Sequence, residues 1–244
     1  MIRIILGNIG SGKTAMAVRD MALSHIPIYS NIITKNIKNN NIITKKDIIK
    51  EEIVSFKRTG EPVIKKKLNE KYWHNIKQKN KSLSVYIDEA HTILNPRRSM
   101  SETNKIMGDF LALLRRVVGS NEHQYGELVL ISQLERRLDI IAKEMATLVQ
   151  FCICYYEIYC PKCKSRWSEN NETSKKITEC SVCGNYRLKK ENFIIEVYNF
   201  KNIDKFHLWF DYKEKSYFEI FYITNIEMVF PLYDTLQWEN LLSD

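Results

Sequence analysis

A chain of 244 residues, 44% hydrophobic and 27% charged, has room for one full α/β core with an appendage and not for two large domains. No stretch approaches the ~18 to 20 apolar residues of a membrane span, and the first residues read as a strand rather than a signal peptide, so the expected compartment is the cytoplasm. The net charge of +8 is uneven: residues 35–81 hold 14 Lys or Arg against 5 Asp or Glu, residues 160–190 hold 8 against 3, and residues 191–244 hold 4 against 10. Two basic regions point to a polyanionic partner, with DNA or RNA the first candidates, although a solvated lysine-rich surface has the same composition.

In chain order, the apolar run Ile2-Arg3-Ile4-Ile5-Leu6 predicts a strand, and Ala15-Met16-Ala17-Val18 opens a helix from about 13 to 24. Between them stands Gly7-Asn8-Ile9-Gly10-Ser11-Gly12-Lys13-Thr14, which fits the phosphate-binding pattern G-x-x-x-x-G-K-[ST] in its strand-to-helix context. The three glycines let backbone N–H groups turn toward an anion with no Cβ in the way. The helix N-terminus adds the positive end of its dipole, Lys13 a point charge for the β- and γ-phosphates, and Thr14 a hydroxyl ligand for Mg2+. A glycine-rich turn that binds nothing is the bland alternative; agreement of motif and context disfavours it. The expected ligand is a nucleoside triphosphate, ATP.

Ile26-Pro27-Ile28-Tyr29-Ser30-Asn31-Ile32 predicts a short second strand, with Pro27 near its start, where a missing donor is tolerated. Thr44-Lys45-Lys46-Asp47 resembles a helix start ahead of Ile48, Ile49, Ile53, Val54 and Phe56, and residues 60–82 are polar without a clear period. Ser84-Val85-Tyr86-Ile87-Asp88-Glu89 reads as a buried parallel strand ending in two carboxylates. Asp88 would hold the Mg2+ at the strand end nearest the phosphates, and Glu89 would polarise the attacking water as general base. The same pair could instead cap a following helix, a reading weakened by the intact phosphate loop. After a loop carrying Pro96, Arg97 and Arg98, apolar positions Ile106, Phe110, Leu113, Leu114 and Val117 recur at helical spacing over 102–118. Glu127-Leu128-Val129-Leu130-Ile131 is a further buried strand, tipped by Ser132-Gln133, and 135–146 reads as an amphipathic helix. Strands alternating with helices predict a mainly parallel sheet with helices on both faces.

Cys160-Pro161-Lys162-Cys163 and Cys180-Ser181-Val182-Cys183-Gly184 form C-x2-C-x16-C-x2-C, the spacing of a four-thiolate zinc site. Such a Zn2+ is structural, because four thiolates leave no open position for substrate. Gly184 suits the positive φ that the turn requires. Cys152 and Cys154 alternate along an apolar run and read as packing on one sheet face rather than as ligands. Residues 147–159 and 192–200 read as strands entering and leaving the ribbon, which places it at the tip of a long hairpin held out from the core. Its basic residues Lys162, Lys164, Arg166, Lys175, Lys176, Arg187, Lys189 and Lys190 suit phosphate contacts, with Trp167 and Tyr186 available for stacking; a ribbon that packs on a neighbouring subunit or protein partner is the equal alternative.

The phosphate loop, a strand ending in Ser30-Asn31-Ile32, Tyr86-Ile87-Asp88-Glu89-Ala90-His91, Arg115-Arg116, and Leu130-Ile131-Ser132-Gln133 followed by Asp139 together resemble zonula occludens toxin-like ATPases over roughly residues 1 to 150. Those proteins are similar to the FtsK/HerA branch of P-loop motors, which move DNA in viral assembly, packaging or chromosome segregation. The resemblance implies an α/β P-loop NTPase of the RecA-like additional-strand type, in which Gln133 at the tip of the extra strand reaches the γ-phosphate, although a polar residue there could also simply end the strand. It implies action on double-stranded DNA, assembly into a homo-oligomeric ring, a capsid or other virion protein as partner, and the host cytoplasm as the compartment. It also implies an arginine finger acting on the neighbouring subunit's site. Arg97-Arg98, Arg115-Arg116 and Arg136-Arg137 are the candidates, with Arg116 and Arg136 favoured because they flank the Ser132-Gln133 strand; for at least one of Arg115 and Arg116, near a helix C-terminus, dipole complementarity is the better reading. Filamentous-phage members carry a membrane helix after the core, and the cysteine-rich insertion is unfamiliar among bacterial members; both departures point to a viral or archaeal packaging-type ATPase. The expected organisation is a core with a β-rich C-terminal extension from residues 1–159 and 191–244, interrupted by a ribbon at 160–190. Three rivals stay open: a helicase, disfavoured by the single core; a zinc-ribbon nucleic-acid-binding regulator switched by nucleotide; and a filamentous-particle assembly or export ATPase.

Overall fold

The structure, a computed structural model, describes residues 1–92, 102–118, 126–133, 136, 138, 140–172 and 177–238. Period-two alternation on three central strands builds two cores. Strand β1 (Ile2–Leu6) directs Ile2, Ile4 and Leu6 to one face of the sheet and Ile5 to the other. Val85 and Ile87 oppose Tyr86 on the strand Ser84–Ile87, and Leu128 and Leu130 oppose Val129 and Ile131 on the strand Leu128–Ile131. On the second face lies helix α1 (Lys13–Leu23), which buries Ala15, Met16, Val18 and Met21 together with Ile226 and Val229 of the C-terminal segment. Each of the larger side chains among these, Met16, Val18, Met21, Ile226 and Val229, contributes about 1.5–3 kcal/mol when fully buried.

Past α1 come short strands β2 (Ile28–Ser30), β3 (Ile32–Thr34) and β4 (Asn40–Ile42), the one-turn helix α2 (Lys45–Ile48), and the hairpin β5 (Ile49–Phe56) and β6 (Pro62–Leu68). Helix α3 (Glu70–Lys79), β7 (Ser84–Ile87), α4 (Glu102–Val118), β8 (Leu128–Ile131) and α5 (Ile140–Glu144) complete the central part. The chain ends in β9 (Leu148–Tyr159), β10 (Arg166–Asn170), β11 (Lys189–Phe200), α6 (Ile203–Tyr212), β12 (Glu219–Ile223) and β13 (Tyr233–Trp238). Helices α3, α4 and α6 cover the first face through Trp73, Phe110, Leu114 and Phe206.

The main sheet runs β12-β11-β9-β1-β8-β7-β2-β4, with all neighbours from β9 to β4 parallel and the β11 and β12 edge antiparallel. β8 therefore lies between β1 and β7, and because the three are parallel, their C-terminal ends, where the phosphate loop, Asp88-Glu89 and Ser132-Gln133 begin, lie at one edge of the sheet. This is the P-loop NTPase arrangement with an added strand. No helix among the described residues is long and apolar enough to cross a membrane.

Four elements depart from the sequence expectations. The second strand is broken at Asn31 into β2, which joins the main sheet, and β3, which pairs with β13. The helix begun at Thr44 is closed by its capping box, Thr44 N–H donating to Asp47 Oδ2 at 2.8 Å, but stops after one turn. From Ile49 to Phe56 the chain is instead a strand paired with β6, turned through Lys57–Glu61 with Gly60 at φ 82°. Within the predicted helix 135–146, the described helix is Ile140–Glu144, and Glu135, Arg137 and Asp139 lie outside the described residues.

Candidate nucleotide and metal sites

Gly7 leaves β1 at φ 149° in a space that a Cβ would share with Ser11 Oγ at 2.5 Å and the Cys152 carbonyl at 2.6 Å, so only glycine fits. The loop ends at Gly12, which starts α1 in the left-handed region with no side-chain cap. The first N–H groups of an α-helix have no intrahelical partner, and among the described residues no side-chain cap satisfies them here.

Lys13 lies over this loop, its Nζ donating to the Gly7 carbonyl at 2.8 Å, the Asn8 carbonyl at 2.9 Å and Ser11 Oγ at 3.4 Å. Burial pulls its pKa below the ordinary lysine value, opposed by Cys152 and by the carboxylates of Asp88, Glu89 and Glu172. Thr14 Oγ1 donates to Asp88 Oδ2 at 2.8 Å, bringing together the hydroxyl and carboxylate that would share a divalent cation. Burial pushes the Asp88 carboxyl above its ordinary range, against the bonds from Thr14 and the Glu89 amide.

Glu89 turns away from the strand at φ 50°, and its Oε1 accepts from Gln133 Nε2 at 3.3 Å while Oε2 lies 3.1 Å from His91 Nδ1. Lys13, Thr14, Glu89 and Gln133 line one cleft of about 390 Å³, together with Gly10 and Gly12. The five groups expected to act on a triphosphate, counting Asp88 through its bond to Thr14, are thus assembled by three parallel strand ends.

Neither of the two candidate arginines whose side chains are described, Arg116 and Arg136, lines that cleft. Arg116 is exposed on α4, and its carbonyl accepts from Lys77 Nζ. Arg136 is exposed, 3.8 Å from Asp211, and borders a neighbouring cavity of about 270 Å³ shared with Asn8 and Gln133. Arg97, Arg98, Arg137 and the Arg115 side chain lie outside the described residues.

Residues outside the phosphate loop and the Asp88-Glu89 pair support the site and the sheet beneath it. Asn31, at the break between β2 and β3, accepts from the Asp88 N–H at 2.7 Å and donates to the Asp88 carbonyl at 3.0 Å, fixing the backbone of the carboxylate that faces Thr14. Tyr233 of β13 lines the same cleft, its hydroxyl pushed up to about 12 by burial and by Asp88 nearby. Arg3 is buried in β1, paired with Asp20 and Glu127 at 2.7 Å each, and its Nη1 donates to Gln150 at 3.2 Å. A charged residue in an apolar strand was the available signal for that network, but its partners are up to 147 positions away.

The four cysteines Cys160, Cys163, Cys180 and Cys183 bring their sulfurs within 4.8 Å of one another. Two turns of the same form hold them: Lys164 N–H donates to the Cys160 carbonyl and Gly184 N–H to the Cys180 carbonyl, both at 2.8 Å, with φ 61° at Lys164 and 63° at Gly184. The cross-turn sulfur distances are 3.6 Å for Cys160 to Cys183 and 3.5 Å for Cys163 to Cys180. A tetrahedral ion with bonds of ~2.3 Å needs sulfur edges of about 3.8 Å, so the cluster fits a metal ion of zinc's size. Burial opposes ionisation of Cys160, but the amides of Cys163 and Lys162 and the Asn185 side chain outweigh it and bring the thiol down to about 6. Cys152 and Cys154 stand apart as buried free thiols, Cys152 Sγ lying 3.8 Å from Met16 Sδ.

The ribbon is not simply held outward. β10 folds back along β9 from Tyr159 to Tyr155, the Asn171 side chain bonds the Cys154 N–H at 2.8 Å, and Glu172 accepts from Asn8 Nδ2 of the phosphate loop at 2.6 Å. Two of its basic residues are engaged: Arg166 with Glu157 and Glu191 at 3.2 and 3.3 Å, and Lys190 over the Tyr156 ring at 3.9 Å. Lys162, Lys164, Arg187, Lys189 and Tyr186 are exposed, and Lys175 and Lys176 lie outside the described residues.

Residues 1–152 match the family model described as Zonular occludens toxin (Zot). Among solved structures, the N-terminal domain of zonular occludens toxin from Neisseria meningitidis is similar over 96% of this chain and 98% of its own, at 16% identity and a TM-score of 0.50. The genome packaging NTPase B204 from Sulfolobus turreted icosahedral virus 2, in complex with ATP-gammaS, aligns over 62% of this chain and 74% of its own, at 14% identity and a TM-score of 0.39. B204 from Sulfolobus turreted icosahedral virus, described as a DNA-packaging ATPase, covers the same shares at 18% identity and a TM-score of 0.37. No curated protein sequence matches the chain. With the family model covering more than half of its length, the chain belongs to the zonular occludens toxin (Zot) family and has a P-loop NTPase fold.

Proposed function

We propose that this protein is an ATP-hydrolysing motor that translocates double-stranded DNA, packaging a viral genome in the host cytoplasm as a homo-oligomeric ring docked on a capsid or other virion protein. The observation that carries the ATPase reading is the convergence of Lys13, Thr14, Asp88, Glu89 and Gln133 on one cleft above an uncapped helix N-terminus. Lys13 Nζ, now bonded to the Gly7 and Asn8 carbonyls, would turn to the β- and γ-phosphates. Thr14 and Asp88 would hold Mg2+, which when bound neutralises charge on the phosphate oxygens. Glu89, oriented by Gln133, would accept a proton from the attacking water, with Gln133 free to report the γ-phosphate. Arg116 or Arg136 would complete a neighbouring subunit's site. The ribbon at 160–190 would bind structural Zn2+, with Lys162, Lys164, Arg187, Lys189 and Tyr186 offered to DNA.

The contact of Glu172 with Asn8 favours one second reading, a zinc-ribbon nucleic-acid-binding regulator whose nucleotide state sets the ribbon's position. ATP turnover measured with and without double-stranded DNA, alongside native mass, separates the two. A motor hydrolyses ATP faster with DNA and assembles into a ring; a switch turns over slowly whatever DNA is added. Near wild-type hydrolysis by Lys13→Ala would sink both.

A further inference from the structure

We infer that the nucleobase is held by its faces against an aromatic wall built by β11 and the C-terminal extension, a subsite outside the phosphate-binding motif; this rests on the nucleotide reading above. The lining of the 390 Å³ cleft is divided in character. Lys13, Thr14, Glu89 and Gln133 make one part polar, while Phe193, Ile195, Ile226 and Phe230 make the other apolar. Ala15, the helix residue after Thr14, also borders the cleft, so the apolar part is continuous with the first turn of α1. A molecule with a polyanionic tail and a flat aromatic head matches this division, and the volume lies within the range of small-molecule sites.

The wall is built rather than incidental. The Phe193 and Phe230 rings meet edge to face, centroids 5.4 Å apart at 82°. The 3-10 turn Ile226–Met228 fixes them: Ile226 is fully packed, and Glu227 Oε1 accepts from the Phe193 N–H at 2.7 Å. Phe230 remains 39% exposed beside the cleft, where a bound base would cover it. The side chains of Phe193, Ile195, Ile226 and Phe230 carry no hydrogen-bonding group, and the Phe193 amide is already used. Of the other lining groups, the Cys154 thiol is directed to the Tyr155 carbonyl at 3.7 Å and the Tyr233 hydroxyl lies near Asp88, on the phosphate side. The base is therefore gripped by stacking, and its edge goes unread, so adenine and guanine nucleotides bind alike.

Stacking of a base on an aromatic ring is worth roughly 5- to 150-fold in affinity by substitution. The test is titration calorimetry on the full chain with Mg2+, using ATP, GTP and inorganic tripolyphosphate against wild type, Phe230→Ala, Phe230→Leu and Phe230→Trp. The leucine variant keeps apolar packing but loses the flat face, which guards against a folding defect. Expected results are ATP and GTP affinities within about threefold of each other, a loss of roughly 5- to 150-fold for both in the alanine variant with a smaller loss in the leucine variant, unchanged tripolyphosphate binding, and recovery with tryptophan. Unchanged ATP affinity in both Phe230→Ala and Phe230→Leu, with tripolyphosphate still bound, overturns the aromatic wall. A preference above roughly 30-fold for one base overturns recognition by faces alone. Failure of wild type to bind either ATP or tripolyphosphate overturns the nucleotide reading itself and this inference with it.

Discussion

Replacing Asn31 with alanine tests whether the carboxylate beside Thr14 is positioned from the strand break between β2 and β3. The Asn31 side chain is buried, accepting from the Asp88 N–H at 2.7 Å and donating to the Asp88 carbonyl at 3.0 Å. Alanine leaves both backbone groups of Asp88 unpaired in a buried site, at about 1–3 kcal/mol each, or about 2–6 kcal/mol together. Against a typical domain stability of about 5–15 kcal/mol that is a large loss. Asn31→Asp keeps the acceptor, loses the donor and sets a second carboxylate beside one that burial already pushes up, so it should weaken Mg·ATP binding beyond its effect on folding. Urea unfolding of wild type and both variants, with and without Mg·ATP, reads stability from the midpoint at constant slope. ATP turnover is then measured where each variant is folded, and Asn31→Ala should lose roughly 10²-fold through a displaced Asp88. A stability change below about 0.5 kcal/mol with turnover intact would refute the tether.

Glu89→Gln keeps the bond to Gln133 within reach but removes the base: ATP should still bind while turnover falls by ~10² or more, and loss of nucleotide affinity in that variant would contradict the assignment. Asp88 carries a raised carboxyl, so the folded state holds its proton more tightly than the unfolded chain does, and apo stability falls as pH rises from the ordinary aspartate value through the raised one. Asp88→Asn should accordingly unfold at higher temperature than wild type without nucleotide at pH 7, yet lose the further rise that Mg·ATP gives wild type; a variant still stabilised by Mg·ATP would count against Asp88 as a metal ligand. The ribbon has little to bury besides Trp167, Ile177 and Val182, and Val182 is itself exposed, so Cys180→Ser with Cys183→Ser should release about one zinc per chain and disorder residues 160–190. Basal ATP turnover should survive that change while DNA stimulation weakens, and native protein without zinc by metal analysis would remove the premise.

Residues close in the chain made much of this molecule readable before folding. The phosphate loop needs only a strand, three glycines and a helix start, and each Cys-x-x-Cys turn needs only its own residues, with φ positive at Gly184 as the turn demands. The strands Ser84–Ile87 and Leu128–Ile131 and the helix Glu102–Val118 bury a regular face, and the regular face is what sequence displays. β5 and β6 lack that contrast: they are exposed along most of their length, with Lys67 paired to Glu52 across the strands, so no period of two marked them. The contact of Asn31 with Asp88 spans 57 positions, that of Asn8 with Glu172 spans 164, and Arg3 joins Asp20, Glu127 and Gln150 only once β1 lies between β8 and β9. The same closure brings Phe193, Phe230 and Tyr233 to a cleft whose motif lies near the start of the chain. Local chemistry names the groups proposed to act on phosphate, while the hydrogen bonds and packing that orient them arise between distant segments and exist only after the sheet has set its strand order.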